Sequence, residues 1–205
     1  MNIQQNYVIT IGRDIASGGS AVAEELARQL GVKVVNKSKL ASLTEKFGMN
    51  ATEILERKRN NSASFGDSYY ELVLNTSSDM MEDTSSVNTK SILEVECALL
   101  KEYARQESFV TIGRAGYWAF KDAPNCLHIF LYCNKQKRVA NLMQKEGLDE
   151  TAAKIKIAKA DQKRDDFMKE NMGVSRYDLR NYDLVLDISD GNVEKAVKTI
   201  LSYLY

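Results

Sequence analysis

Residues 12–20, Gly-Arg-Asp-Ile-Ala-Ser-Gly-Gly-Ser, hold the densest set of groups in this chain that could handle an anion. The adjacent glycines Gly18 and Gly19 sit between the hydroxyls of Ser17 and Ser20, and Gly12 and Arg13 open the stretch. Glycines let the backbone close around a ligand, and hydroxyls and backbone N–H groups donate to phosphate oxygens. A second set of groups is spread further along: Arg114, Arg138, Asp161 and Arg164. Arg114 ends a Thr-Ile-Gly-Arg that repeats the one ending at Arg13. Guanidinium groups offer phosphate a bidentate fork. Asp161 and Arg164 are three residues apart, on one face of a helix, where a carboxylate can hold a guanidinium in place.

The elements around the first stretch would present it at the edge of a sheet. Tyr7 to Ile11 is a short apolar, β-branched run that reads as a buried strand ending at Gly12. After the loop, Val22, Leu26, Ala27 and Leu30 recur at helical spacing, and Gly31 stands where a helix ends. Strand, glycine-bearing loop and helix together point the N–H groups of the helix start toward the carboxyl edge of a parallel sheet, where they favour phosphate. The pattern G-x-x-x-x-G-K-[ST] is approached: Arg13 takes the first glycine position with Gly12 one residue early, Gly18 takes the second, Gly19 replaces the lysine, and Ser20 keeps the hydroxyl. On these residues two readings stand: a phosphate loop, or a tight strand-to-helix turn that the glycines merely permit.

Length and composition narrow the classes. A chain of 205 residues suits one α/β domain. With 28 basic and 28 acidic residues, nothing global favours nucleic acid or an anionic membrane, so any anion site must be local. No signal-like start and no membrane-length apolar run is present, which predicts a cytoplasmic protein. Cys97, Cys126 and Cys133 lack C-x-x-C spacing and lie in apolar contexts, as buried thiols would; His128, the only histidine, lies in a strand-like run as a packed core residue.

The remaining pattern alternates strands and helices. Lys33 to Val35 is a second strand, followed by helices over 38–47, from Asn50, and over 67–83, with a charged stretch at 56–61 and a polar loop at 62–66. Asn88 could cap a helix carrying Ile92 to Tyr103. Residues 36–90 thus form a helical insertion, a place for substrate contacts. Phe109 to Arg114 is a third strand, Leu127 to Cys133 a fourth and Leu184 to Ile188 a fifth, with helices starting after Asn134, Asp149 and Asn192. Five short apolar strands joined by right-handed crossovers make a parallel sheet covered on both faces, with ligands outside its carboxyl edge. If the first and third strands are neighbours, Arg13 and Arg114 emerge side by side; holding two guanidiniums close in a dry site costs several kcal/mol unless an anion lies between them. The plainer reading sends both to solvent or to nearby carboxylates.

Across nearly its whole length the chain resembles the P-loop nucleoside monophosphate kinases, most closely the cytidylate-kinase-like branch. The resemblance is carried by ITIGR and SGG within Ile9 to Gly19, VTIGRAG at Val110 to Gly116, DAPNCLHIFLYC at Asp122 to Cys133, KRVANLMQKEGL at Lys137 to Leu148, Asp161 with Arg164, and NYDLVLD at Asn181 to Asp187. It implies a three-layer P-loop NTPase fold with a five-stranded parallel sheet in the order 2-3-1-4-5, a single domain over 1–205 with an acceptor-binding insertion at about 36–90 and a helical lid at about 147–181. It also implies phosphoryl transfer from ATP with magnesium to a nucleoside monophosphate or similar small acceptor. Gly12, Arg13, Ser17, Gly18, Gly19 and Ser20 would bind the nucleotide, with Ser20 near the metal. Arg13, Arg114, Arg138 and Arg164 would serve the transferring phosphoryl group, supported by Asp161.

Three positions depart from the kinase pattern. Gly19 replaces the loop lysine, a form seen in the cytidylate-kinase-like branch, and Ala115 and Asn36 stand where aspartates are usual. Arg13 is the cation at hand to replace the lysine. Two functions follow as expectations: a nucleoside monophosphate kinase-like phosphotransferase, with a homodimer as its possible assembly, or a nucleotide or phosphate binder that has lost the transfer chemistry.

Overall fold

The structure, a computed structural model, describes residues 1–36, 39 and 89–205; the side chains described exclude those of residues 89–92, 95, 114 and 115. In chain order it contains β1 (Val8–Arg13), α1 (Gly19–Leu30), β2 (Lys33–Val35), α2 (Thr89–Gln106), β3 (Phe109–Ile112), α3 (Arg114–Phe120), β4 (Cys126–Tyr132), α4 (Lys135–Glu146), α5 (Glu150–Met172), a 3-10 turn (Leu179–Asn181), β5 (Leu184–Asp187) and α6 (Val193–Leu204). The helices expected over 38–47, from Asn50 and over 67–83, the stretch 56–61, the loop 62–66 and the cap Asn88 lie outside the described residues.

All strand pairs are parallel and the sheet order is β2-β3-β1-β4-β5. Side chains alternate across the strands and build a core on each face. Ile9, Ile11, Ile129 and Leu131 pack with Val22, Leu26, Val197 and Ile200, so α1 and α6 cover one face. Val8 and Phe109 pack with Leu99, Tyr103, Phe120, Met168 and Met172, so α2, α3 and α5 cover the other. Among the described residues no helix is long and apolar enough to cross a membrane.

β1 runs two residues past its expected end at Ile11, because the longer β4 continues to pair with it: Gly12 lies opposite Phe130 and Arg13 opposite Leu131. Glycine at position 12 is a packing requirement, since a Cβ there would lie 2.9 Å from Phe130 Cδ2 and 3.4 Å from Tyr182 Cε1. Gly116, on α3, is tighter still, its notional Cβ only 2.6 Å from Thr111 Cγ2 on β3. Gly116→Ala is therefore expected to destabilise the fold by about 1–3 kcal/mol through overpacking, more than the ~1 kcal/mol that alanine gains over glycine in a helix. The urea midpoint reads this directly, and an unchanged midpoint would contradict the close approach of α3 to β3.

The second face carries a short polar seam within the core. Thr10 Oγ1 and His128 Nδ1 are 2.7 Å apart, and Thr111 Oγ1 donates to the Val35 carbonyl at 3.1 Å. His128 is buried, as the strand context predicted, and burial pushes its imidazole below the ordinary histidine range. The unfolded chain therefore takes up a proton at higher pH than the native protein does. Folding free energy is expected to fall as pH drops below about 6.5, and His128→Asn is expected to flatten that slope in urea titrations across pH 5–7. Burial also pushes the thiols of Cys97 and Cys126 to about 12, so neither is a thiolate nucleophile at neutral pH.

Candidate active site

The repeated Thr-Ile-Gly-Arg segments lie against each other. Thr10 pairs with Thr111 and Ile11 with Ile112, and the Gly113 amide donates to the Ile11 carbonyl at 3.3 Å. Both segments reach the carboxyl edge of the sheet and part there, β1 into the loop 14–18 and β3 into α3, which begins at Arg114. The side chain of Arg114 lies outside those described.

The loop after β1 is held by its carbonyls, four in succession. The Arg13 carbonyl accepts from Arg176 Nη2 at 2.5 Å and the Asp14 carbonyl from Ser17 Oγ at 2.9 Å. The Ile15 carbonyl accepts from Arg138 Nε at 2.8 Å and the Ala16 carbonyl from Asn141 Nδ2 at 2.8 Å. The Asp14 amide is also taken, donating to the Leu131 carbonyl at 3.2 Å, so among the described residues the groups of the loop left to offer a ligand are the amides between Asp14 and α1. The bend takes Ala16 to φ 58°, a left-handed conformation that costs a non-glycine residue about 1–2 kcal/mol; Gly18, at φ 85°, takes the next such position. The loop docks on a small apolar cluster in which Ile15 packs with Val139, Leu142, Ala153 and Ile157 of α4 and α5.

α1 then begins at Gly19, whose amide donates to Ser17 Oγ at 3.2 Å, while the Ala21 amide donates to the Gly18 carbonyl at 3.0 Å. Among the described residues no acceptor meets the amides of Gly18 and Ser20, and a helix start of this kind carries partial positive charge. Gly19 is enclosed: a Cβ there would stand 3.0 Å from Arg13 Cβ and 3.2 Å from Ser17 Oγ. The space at the root of a residue-19 side chain is filled by Arg13, which crosses the loop to donate from Nε to Ser20 Oγ at 3.3 Å. Ser20 itself is exposed, and Ser17 spends its hydroxyl within the loop.

Behind the loop, four charged side chains, three of them buried and Asp161 half-buried, alternate around a ring. Arg138 Nη2 donates to both oxygens of Asp161, at 2.8 and 2.7 Å. Arg138 Nη1 lies 3.8 Å from Asp14 Oδ2, Asp14 Oδ1 lies 3.7 Å from Arg176 Nη2, and Arg176 Nη1 lies 3.9 Å from Asp161 Oδ1. The side chains of Arg138, Asp14 and Arg176 are 8, 7 and 7 % exposed, so solvent screens these charges weakly. Burial raises the Asp14 carboxyl above the ordinary aspartate range, outweighing the downward pull of Arg138 and Arg176. The Cys133 amide also donates to Asp14 Oδ2, at 3.4 Å.

Of the residues singled out from the sequence, Gly12, Arg13, Ser17, Gly18, Gly19 and Ser20 form this one loop and its flanks, and Arg138 and Asp161 stand directly behind it. Arg138 is turned to carboxylate and carbonyl rather than left open at the rim. Arg164 lies half-buried on α5, one turn beyond Asp161. Sequence reasoning missed Asp14, Asn141 and Arg176. Asn141 lies one turn beyond Arg138 on α4, a helical spacing that could have found it, whereas Arg176 lies in the turn after α5 and has no periodicity to mark it.

A profile of the cytidylate kinase-like family matches residues 8–190. A cytidylate kinase of Methanopyrus kandleri is 27% identical over 185 residues, covering 90% of this chain and 86% of that protein. Among solved structures, an uncharacterized protein from Eubacterium ventriosum has a TM-score of 0.69 at 22% identity, covering 96% of this chain and 97% of the other. A shikimate kinase from Bacteroides thetaiotaomicron has a TM-score of 0.51 at 13% identity, covering 97% and 98%. At these identities the solved structures speak for the fold.

Proposed function

The chain belongs to the cytidylate kinase-like family, and on that footing we propose that it transfers the terminal phosphoryl group of ATP, with magnesium, to a nucleoside monophosphate or similar small acceptor. Family membership supports the coarser statement, phosphoryl transfer to a small acceptor. The observation that carries the finer reading is the loop with four consecutive carbonyls bound, its helix-start amides left for a ligand and Arg13 laid across it. In such a reaction an acceptor oxygen bonds to the terminal phosphorus as the bridging oxygen leaves with ADP, and the protein contributes positioning and charge.

Residues Gly12 to Ser20 would hold the phosphates through backbone amides, and the Arg13 guanidinium would supply the positive charge that a loop lysine supplies elsewhere. The donor set at the loop fits magnesium in one way: the exposed Ser20 hydroxyl would hold the ion together with phosphate oxygens, and Arg13 Nε would give up its bond to that hydroxyl. Bound there, the ion would neutralise phosphate charge. Arg114 and Arg164 would stabilise the phosphoryl group in transfer. Arg138 would reach that group only by leaving Asp161, so its part in the arrangement described is to hold the Ile15 carbonyl. The insertion at about 36–90 would hold the acceptor, and the segment at about 147–181 would close over the phosphates. A cytoplasmic setting, where ATP is abundant, suits this reading.

Release of ADP from ATP and magnesium, assayed over a panel of nucleoside monophosphates, tests the proposal. At least one acceptor is expected to raise ADP release well above the acceptor-free rate. Thermal stabilisation by ATP with no acceptor-dependent turnover would instead assign the chain to nucleotide binding alone.

A further inference from the structure

We propose that Arg176 is a positioning residue for the phosphate loop, fixing the peptide at which β1 turns into the loop and with it the place of the Arg13 side chain. The proposal's bearing on phosphate rests on the kinase reading; its structural content does not. Arg176 Nη2 bonds the Arg13 carbonyl, so it holds the backbone of the same residue whose side chain crosses the loop to Ser20.

Arg176 is itself held from several directions. Its amide donates to Asp165 Oδ1 at 2.9 Å, and its carbonyl accepts from the Tyr182 hydroxyl at 2.8 Å. Its guanidinium carbon lies 5.4 Å from the Phe130 ring centre and 5.2 Å from that of Tyr177, within cation–π range of both. Ser175 Oγ donates to the same Asp165 oxygen at 2.6 Å, and Asn181 Nδ2 donates to the Ser175 carbonyl at 3.0 Å. A surface ion pair has no such frame, whereas a group whose task is to place another is expected to be fixed before that group is. Arg176 Nη1 and Asp14 Oδ1 are buried without a hydrogen-bond partner among the described residues. The ring therefore does not use Arg176 to satisfy every charge; among the described residues the hydrogen bond of its guanidinium goes to the loop peptide.

The full chain carrying Arg176→Gln, Arg176→Lys or Asp14→Asn with Arg176→Gln separates positioning from charge. Amide exchange at Asp14 and Gly19, whose amides are bonded to the Leu131 carbonyl and to Ser17 Oγ, measured without ligand, is the first readout, and binding of inorganic tripolyphosphate by calorimetry the second. Arg176→Gln is expected to speed exchange in the loop about tenfold, the change expected on losing a charge-assisted hydrogen bond, with residues 8–11 unchanged, and to weaken tripolyphosphate binding by a similar factor. Arg176→Lys, which keeps a cationic donor, is expected to recover part of both. The double variant, neutral around the ring but without the carbonyl bond, is expected to stay weak.

Loop exchange equal to wild type in Arg176→Gln overturns the proposal, as does exchange raised equally through the sheet, which marks a general stabiliser. Full recovery of binding in the double variant overturns it in favour of charge balance. If the wild-type chain does not bind tripolyphosphate, the kinase reading fails, and loop exchange alone decides the role of Arg176. Should Arg176→Gln not fold, Arg176→Lys against wild type carries the same comparison.

Discussion

Arg138→Ala is expected to lower the folding free energy by about 3–5 kcal/mol, the range for breaking a buried ion pair by removing one partner. The side chains of Arg138 and Asp161 are 8 and 18 % exposed, and the substitution strips Asp161 of both short bonds. It also leaves Asp14 with Arg176 as its remaining ring cation and frees the Ile15 carbonyl. The ring passes from neutral to one net negative charge in a poorly solvated place, and that charge is not repaid by any new contact. Against a typical total of 5–15 kcal/mol, a loss of this size would show as a large fall in the urea midpoint. A double replacement, Arg138→Met with Asp161→Leu, removes one charge of each sign and is expected to regain most of the stability, because apolar residues of similar volume often replace buried pairs without loss. A midpoint for Arg138→Ala within ~0.5 kcal/mol of wild type, the range of an ordinary surface substitution, would mean that the ring is not a buried ionic unit.

The second large effect is catalytic. Arg13→Ala is expected to reduce kcat/KM for phosphoryl transfer by about 10²–10³, as loss of one pre-placed donor to developing charge does elsewhere. Its thermal midpoint is expected to move less than that of Arg138→Ala, because the Arg13 side chain is half-buried where that of Arg138 is buried, and its bond to Ser20 Oγ is 3.3 Å long. Arg13→Lys keeps the charge but not the planar fork, so it should recover part of the rate. The two substitutions thus separate by measurement: position 138 by the urea midpoint, position 13 by turnover in a protein that still folds. Unaltered turnover in Arg13→Ala would remove Arg13 from the phosphate reading.

Much of the frame was readable before any coordinates, because its signals are local. Asn134 and Asp149 cap α4 and α5 by accepting from the Lys137 and Ala152 amides, the short-range bond their residue types predict. The sheet order implied by the resemblance placed the first and third strands side by side, and the pairing of Thr10 with Thr111 bears that out. The ring was not readable. Arg138 meets the Ile15 carbonyl across 123 residues of sequence and Arg176 meets the Arg13 carbonyl across 163, and no periodicity encodes such distances. Asp161 illustrates the limit: spacing on one helix linked it to Arg164, while its carboxylate takes two short bonds from Arg138, 23 residues away on α4. Nor could spacing reveal that Arg13 fills the room beside Gly19, since that depends on the path of the chain between them.

Two arginines and two aspartates in alternation sum to no charge. At a distance larger than their own separations the opposing fields cancel, so the quartet exerts almost no pull on a polyanion diffusing toward the rim. Attraction over several ångströms must come from other cations, among them Arg13, and is the part that added salt can mask. On the kinase reading, the rigid frame and the lure would be made of different arginines, which would leave selection free to retune capture at the mouth without loosening the loop behind it.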